Sequence, residues 1–292
     1  MTQNLSHTYL EDRYRRSDGA RIFYRSWRPT AAIRATVVIC HGFNSHSGQY
    51  GETAEALVGA GFQVYALDLR GRGRSEGPRF RVRDVAEYVG DLDGVIAIAR
   101  SRDPALPVFL LGHSAGGVVS TSYALDHGQV LAGLICESFA FRVPAPRVAL
   151  ALIRVIARVF PSLPAVKLRN RDFTRDAQAL ARLDADPMIR NETQPAITVA
   201  AMLRANDRLE RDFGSITLPV LILHGTADKA TLPAGSEFFD RHAGSSDRTL
   251  KLYDRHYHDL LADLGKEAVL KDIIDWINPR IPTDPTSRRS PT

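Results

Sequence analysis

From about residue 20 to residue 139, and again after residue 215, short apolar runs alternate with stretches that repeat on a helical period. The runs that predict strands are Ile22–Trp27, Thr36–Cys40, Gln63–Leu67, Val108–Leu111, Gly133–Cys136, Val220–Leu223 and Leu250–Tyr253. Several are apolar throughout rather than at every second position, as expected of central parallel strands covered on both faces. Between them, Val85, Val89, Leu92 and Ile96 recur at helical spacing, with Asp84 and Glu87 placed as a cap and its reciprocal partner. Val269, Ile273, Trp276 and Ile277 form a second apolar helical stripe. Strands alternating with helices predict an α/β fold, a sheet with helices on both faces.

The alternation stops between residues 140 and 214, where no strand is predicted. An apolar run, Pro146 to Phe160, is followed by polar helical segments, which reads as a helical lid or cap inserted in the sheet. The expected organisation is therefore a first core part over 1–139, a helical cap over 140–214, a second core part over 215–278, and a disordered Pro/Ser/Arg-rich tail over 279–292. No internal repeat is present.

Composition bounds the picture without changing it. Of 292 residues, 44 % are apolar and 24 % charged, the balance of a globular chain with a core to bury. Two cysteines, Cys40 and Cys136, both in strand-like runs, exclude a disulfide framework or zinc ribbon and read as reduced core residues. The first residues lack the apolar stretch of a secretory signal, and no uncharged run reaches membrane-spanning length, which places the chain in the cytoplasm. The net charge is +5, and residues 141–214, with 13 basic against 8 acidic side chains, account for all of it. Between Glu137 and Asp172 there are seven cations and no acid.

The strongest chemical signal is Gly112-His-Ser114-Ala115-Gly116 at the end of the Val108 run, ahead of a helix-compatible stretch. Small residues two before and two after a serine let a strand turn sharply into a helix and hold the hydroxyl clear of the sheet. A serine hydroxyl needs a base to take its proton and an acid to orient that base. On such a turn the chain order is Ser, acid, His. Asp228 follows the Val220 strand through His224-Gly-Thr-Ala, at the sheet edge where α/β proteins bind ligands. Downstream lie His242, His256 and His258. His258 is preferred over its competitor His256 because a helix-like segment, Asp259-Leu-Leu-Ala, starts directly after it. A His256/His258 metal pair lacks a third ligand at metal spacing.

Acyl transfer also needs donors for an oxyanion. The backbone N–H groups of Ala115 and of Phe43, in the loop Cys40-His41-Gly42-Phe43, are the candidates, with His41 as a structural brace. The stretch Asp68-Leu-Arg-Gly71-Arg-Gly73-Arg-Ser75-Glu-Gly77 lacks the dinucleotide glycine spacing and the interleaved aromatics of a nucleic-acid surface, so it reads as a solvated or salt-bridged turn. No cofactor, metal or nucleic acid is expected.

These motifs, with His41-Gly-Phe-Asn-Ser-His-Ser-Gly-Gln-Tyr50 and Tyr257-His258, resemble the monoacylglycerol lipase / lysophospholipase branch of the α/β-hydrolase superfamily over residues 10–278. The resemblance implies an α/β-hydrolase fold, a Ser114–Asp228–His258 triad, an oxyanion hole from Phe43 and Ala115, and a helical cap over an acyl-chain pocket. Four positions depart from the branch: Asn44 and Ser45 stand for Gly and Glu, Ala115 for Met, and Arg72 for His.

The expected activity is a serine carboxylic ester hydrolase that cleaves single-chain lipid esters, monoacylglycerol foremost, through an acyl-enzyme. A lysophospholipase or general carboxylesterase is the alternative, and a non-catalytic α/β-hydrolase binding module is the reading from another class. Within the cap, Arg147, Arg154 and Arg158 share one side of a helix and Val148, Leu152, Val155, Ile156 and Val159 the other. Such a helix either buries its apolar side on its own protein or lies on an anionic membrane.

Overall fold

A computed structural model describes residues 7–282. The N-terminal segment and most of the expected tail, residues 283–292, lie outside the described residues; at the near end of that tail, Asn278–Arg280 make a 3₁₀ turn.

The elements in chain order are β1 (His7–Arg15), β2 (Arg21–Pro29), β3 (Ala35–Cys40), α1 (Gly51–Gly59), β4 (Phe62–Leu67), α2 (Val85–Arg102), β5 (Val108–His113), α3 (Ala115–His127) and β6 (Gly133–Glu137). Then come α4 (Arg147–Val159), β7 (Pro164–Val166), α5 (Ala177–Ala185), β8 (Gln194–Pro195), α6 (Ala196–Asp212), β9 (Val220–Gly225), α7 (Pro233–His242), β10 (Arg248–Tyr253) and α8 (Lys266–Ile277). The main sheet runs β1-β2-β4-β3-β5-β6-β9-β10; the two pairings that involve β2 are antiparallel and the rest are parallel.

Continuous apolar strands are buried on both faces because their residues alternate between two cores. In β3, Val38 and Cys40 face the side covered by α2 and α3, while Val37 and Ile39 face α1 and α8. On α2, Val89, Leu92 and Ile96 enter the first core. Its N-terminus has the expected capping box, with Asp84 Oδ1 accepting from Ala86 N at 2.9 Å and Glu87 Oε1 from Asp84 N at 3.2 Å. Val269, Ile273 and Ile277 of α8 fill the second core. Cys40 and Cys136 are free and buried, and burial pushes both thiols up to about 12.

Three expectations are corrected. Strand β1 was not predicted: it is an edge strand, exposed along nearly its whole length, so it carries no apolar pattern. The segment 140–214 does contain strands, β7 and β8, which pair antiparallel, but they span three and two residues and each includes a proline. The stretch after His258 is a turn and not a helix. Leu260 N donates to the buried Glu137 carboxylate at 2.7 Å and Asp259 N to Phe173 O at 2.8 Å, while Ala262 N returns to Asp259 O at 3.1 Å, three residues back and not the four of an α-helix.

The register sets the functional edge. Cys40, Gly112 and Cys136 sit side by side, as do His113 and Glu137, and Glu137 and Leu223. The chain therefore leaves β3, β5, β6 and β9 at one level, and the loops that follow meet at the C-terminal edge of the sheet.

Candidate active site

Ser114 sits at the turn from β5 into α3 with φ 54° and ψ −118°, a conformation that costs a residue with a side chain about 1–3 kcal/mol. The neighbours impose it. Ser114 N donates to Glu137 O at 2.9 Å, and the Ser114 carbonyl accepts from Gly117 N at 3.0 Å and Ala140 N at 3.2 Å. A Cβ on Gly116 would lie 2.1 Å from Cys40 O, so only glycine lets α3 begin against the end of β3. A Cβ on Gly42 would lie 2.8 Å from Ser114 Cβ, which places the loop after β3 directly over the serine.

The structure brings Ser114, His258 and Asp228 into one line. Ser114 Oγ donates to His258 Nε2 at 2.8 Å, and His258 Nδ1 donates to Asp228 Oδ2 at 2.8 Å. A carboxylate at Nδ1 keeps the proton there and leaves Nε2 as the acceptor. Asp228 Oδ1 accepts from Ala230 N and Thr231 N at 2.7 and 2.9 Å, and Oδ2 accepts from Thr231 Oγ1 at 2.7 Å. Burial opposes the Asp228 charge, but His258 and His224 outweigh it and hold the carboxyl well below the ordinary range. His258 is fully buried and Ser114 is 4 % exposed. His256, the competitor, lies away from the serine, with Nδ1 3.0 Å from Asp254 O and its ring beside Tyr253.

The N–H groups of Phe43 and Ala115 have no protein acceptor among the described residues. The loop that carries Phe43 is braced by His41, whose Nδ1 donates to Gly42 O at 2.7 Å and whose Nε2 accepts from Leu69 N at 3.0 Å. Burial lowers the His41 imidazole to about 4, so it serves as a neutral strut.

The next residue, Asn44, has φ 51° and donates its N–H to Glu192 Oε1 at 2.9 Å. The same oxygen accepts from Arg72 and, at 2.7 Å, from Gln194 Nε2. Arg72 also donates to Gln194 Oε1 at 2.7 Å, and its guanidinium lies over the Phe43 ring, 4.3 Å from the centroid. Arg72 is 0 % and Glu192 2 % exposed. A fully buried ion pair thus ties the segment 140–214 to the loop beside Ser114. A second tie runs from His46 Nε2 to Asp186 Oδ2 at 2.8 Å.

Behind the line of three lies a group that sequence reading did not find. Glu137 Oε1 accepts from Leu260 N, while Glu137 Oε2 faces His113 Nε2 at 3.7 Å, and neither of those two facing atoms has another partner. With Asp259 they form a group of three metal-capable side chains within 4.8 Å. Burial and the Asp259 carboxylate push Glu137 far above the ordinary carboxylate range. Stability from a raised carboxyl is present below its ordinary value of about 4.5 and is lost as pH rises through the folded value. Glu137→Gln is neutral at every pH. Its melting temperature is therefore expected to match wild type below pH 4.5 and to exceed it increasingly above. A thermal-melt series in pH checks this, and a gap that widens on acidification would contradict it.

Other residues were missed for identifiable reasons. His224 was visible in the motif that ends at Asp228, but its role was not: its Nε2 lies 3.1 Å from Asp228 Oδ2 while Ser236 Oγ donates to its Nδ1 at 2.7 Å. Phe173, whose ring meets the His258 imidazole edge-on at 4.8 Å, lies 85 residues away in sequence and gives no local signal. The arginines of the Gly71–Gly77 turn are engaged within the protein. Arg70 pairs with Asp91 and Asp18, Arg72 with Glu192, and Arg74 with Glu11.

A family model described as "Serine aminopeptidase, S33" matches residues 31–265. The monoacylglycerol lipase of Mycolicibacterium smegmatis is 32 % identical over 94 % of this chain and 98 % of its own length. The monoglyceride lipase of Homo sapiens is 32 % identical over 93 % of this chain and 91 % of its own. Among solved structures, the monoacylglycerol lipase of Paleococcus ferrophilus superposes with a TM-score of 0.80 at 29 % identity, covering 89 % of this chain and 99 % of that one.

Proposed function

The chain belongs to the α/β-hydrolase family described as serine aminopeptidase S33, and from that membership we propose that it hydrolyses esters of single-chain lipids, monoacylglycerol foremost, through Ser114, His258 and Asp228. It is a carboxylic ester hydrolase. The observation that carries the site assignment is the unbroken line Ser114–His258–Asp228, with both contacts at 2.8 Å. His258 takes the Ser114 proton as Oγ attacks the ester carbonyl, and Asp228 stabilises the imidazolium. The unpartnered N–H groups of Phe43 and Ala115 accept the developing oxyanion. His258 returns the proton to the departing alcohol, and water then releases the acid from Ser114.

Residues 140–214 act in this reading as the cap. One face of α4 supports a lipid substrate. Val148 is 81 % exposed, Leu152 and Val155 56 % each, and Val159 65 %, with Phe160 and Leu163 continuing the patch. The helix rests on α6 through Arg154, which donates to Asp207 at 2.5 and 2.9 Å. Of the two options that the sequence left open, exposure of four of the five stripe residues supports contact with a membrane over burial on the protein itself. No helix among the described residues is long and apolar enough to cross a membrane. The stripe and the cations beside it suit peripheral contact of a cytoplasmic enzyme with an anionic bilayer.

A hydrolysis panel of monoacylglycerols, lysophospholipids, short p-nitrophenyl esters and thioesters tests the substrate. The highest kcat/KM is expected for a monoacylglycerol; a preference for lysophospholipid would shift the reading to the basic cap as a head-group selector. Absence of a fluorophosphonate adduct at Ser114 would favour a non-catalytic binder. For the bilayer, Leu152→Glu with Val155→Glu is expected to lower co-sedimentation with anionic vesicles by on the order of tenfold or more, through loss of buried apolar area. Equal binding by variant and wild type would remove α4 from the interface.

A further inference from the structure

On the side of α4 that faces α6 lies a cavity of about 270 Å³, lined by Arg83, Arg154, Ala157, Arg158, Ile197 and Arg204. Four of the six lining residues are arginines, and they come from three places: the loop before α2, the C-terminal half of α4, and α6. Two are already held in place. Arg154 grips Asp207 with both terminal nitrogens and reaches Leu203 O at 3.3 Å. Arg204 Nη2 donates to Arg83 O at 2.6 Å and lies 4.0 Å from Asp84 Oδ2. The side chains of Arg83 and Arg158 meet no carboxylate or other polar partner among the described residues.

Four arginines thus line one concavity, and the heads of two of them, Arg154 and Arg204, are turned to the carboxylates Asp207 and Asp84 at its rim. Arg83 and Arg158 leave two of the four positive charges without a carboxylate beside them, and an anion seated between them offsets that excess. Planar guanidinium forks match phosphate oxygens two at a time, and a concave wall concentrates their field. Ala157 and Ile197 add an apolar lining that suits the organic part of an ester over a bare hydrated ion.

We infer that this cavity binds a phosphate group carried on an organic ester, with Arg154 and Arg204 as its preset walls and Arg83 and Arg158 closing on it. The group comes either from a diffusible phosphate ester or from the head group of an anionic lipid under the neighbouring apolar stripe. The inference is independent of the ester-hydrolase reading, since none of the four arginines belongs to the proposed catalytic line.

The test pairs the variant Arg83→Gln/Arg158→Gln with Arg147→Gln, an exposed α4 arginine outside the cavity. A melting temperature within a few degrees of wild type in both variants establishes that they are folded. The full chain is titrated calorimetrically with glycerol 3-phosphate at low salt. It is also co-sedimented with phosphatidylcholine vesicles, plain or doped with phosphatidylglycerol. Binding of glycerol 3-phosphate that falls tenfold or more in the double variant but not in Arg147→Gln supports the site with a diffusible source. The same variant dependence seen only with doped vesicles supports it with a lipid head group as the source. If the double variant binds both probes as wild type does, or if Arg147→Gln loses as much, the cavity is no phosphate site and the inference falls.

Discussion

Ser114→Ala is expected to lower kcat/KM for ester hydrolysis by on the order of 10³- to 10⁶-fold while the fold stays intact. The hydroxyl is the group that His258 Nε2 receives at 2.8 Å, and among the described residues it has no other side-chain partner. Its removal takes away the proposed nucleophile without leaving a buried charge unpaired. The strained backbone at 114 is set by contacts of the main chain, which alanine keeps. The melting temperature should accordingly move by only a few degrees, in line with the loss of about 1 kcal/mol for one hydrogen bond. Initial rates and thermal melts on the same preparation read both quantities. Retention of near-wild-type turnover would reassign the nucleophile.

The largest structural effect is expected at Arg72. Arg72→Met fills similar space but strands the Glu192 carboxylate, which is 2 % exposed, without its cation. Breaking one side of a buried pair costs about 3–5 kcal/mol. For a chain of this size that corresponds to a fall of roughly 10 °C in melting temperature. Arg72→Met combined with Glu192→Met removes both charges and should regain most of the loss. Activity separates the two variants in another way. Glu192 also receives Asn44 N, so the double variant, although stable, leaves the Phe43–Asn44 loop unanchored and lowers kcat more than it raises KM. A double variant with full kcat would show that the loop needs no anchor.

What could be read from the sequence, and what could not, follows the range of the interactions. The strands of the sheet were legible because burial on both faces forces a continuous apolar run of the kind seen from Ala35 to Cys40. Ser114 was legible because the close approach of α3 to β3 demands glycine at 116, a local signature. Asp228 and His258 could be placed by the order of the strands, since β9 and β10 end at the same edge. The surroundings of these residues were not legible. Glu137 sits at the end of an apolar strand and reads there as the strand's polar stop, yet it is fully buried and anchors the turn after His258. Glu192 lies 148 residues from the backbone N–H that it receives, and only the folded chain brings them together. The turn found in place of the helix expected after His258 is held in the same way: Leu260 and Asp259 give their N–H groups to Glu137 and Phe173, partners that no local pattern announces.

The contact between Glu192 and Asn44 N bears on how such enzymes can be recombined. The proposed cap is an attractive unit to exchange, because two crossover points suffice to replace residues 140–214. In this chain the exchanged piece would take with it the acceptor for the Asn44 N–H, the counter-charge for a fully buried Arg72, and the Phe173 carbonyl that holds the turn after His258. A graft therefore has to import a carboxylate at position 192 and an aligned carbonyl at 173, or at the least be accompanied by a neutral replacement at 72. The junction that decides compatibility lies across the interior of the molecule, far from the two points where the chain is cut.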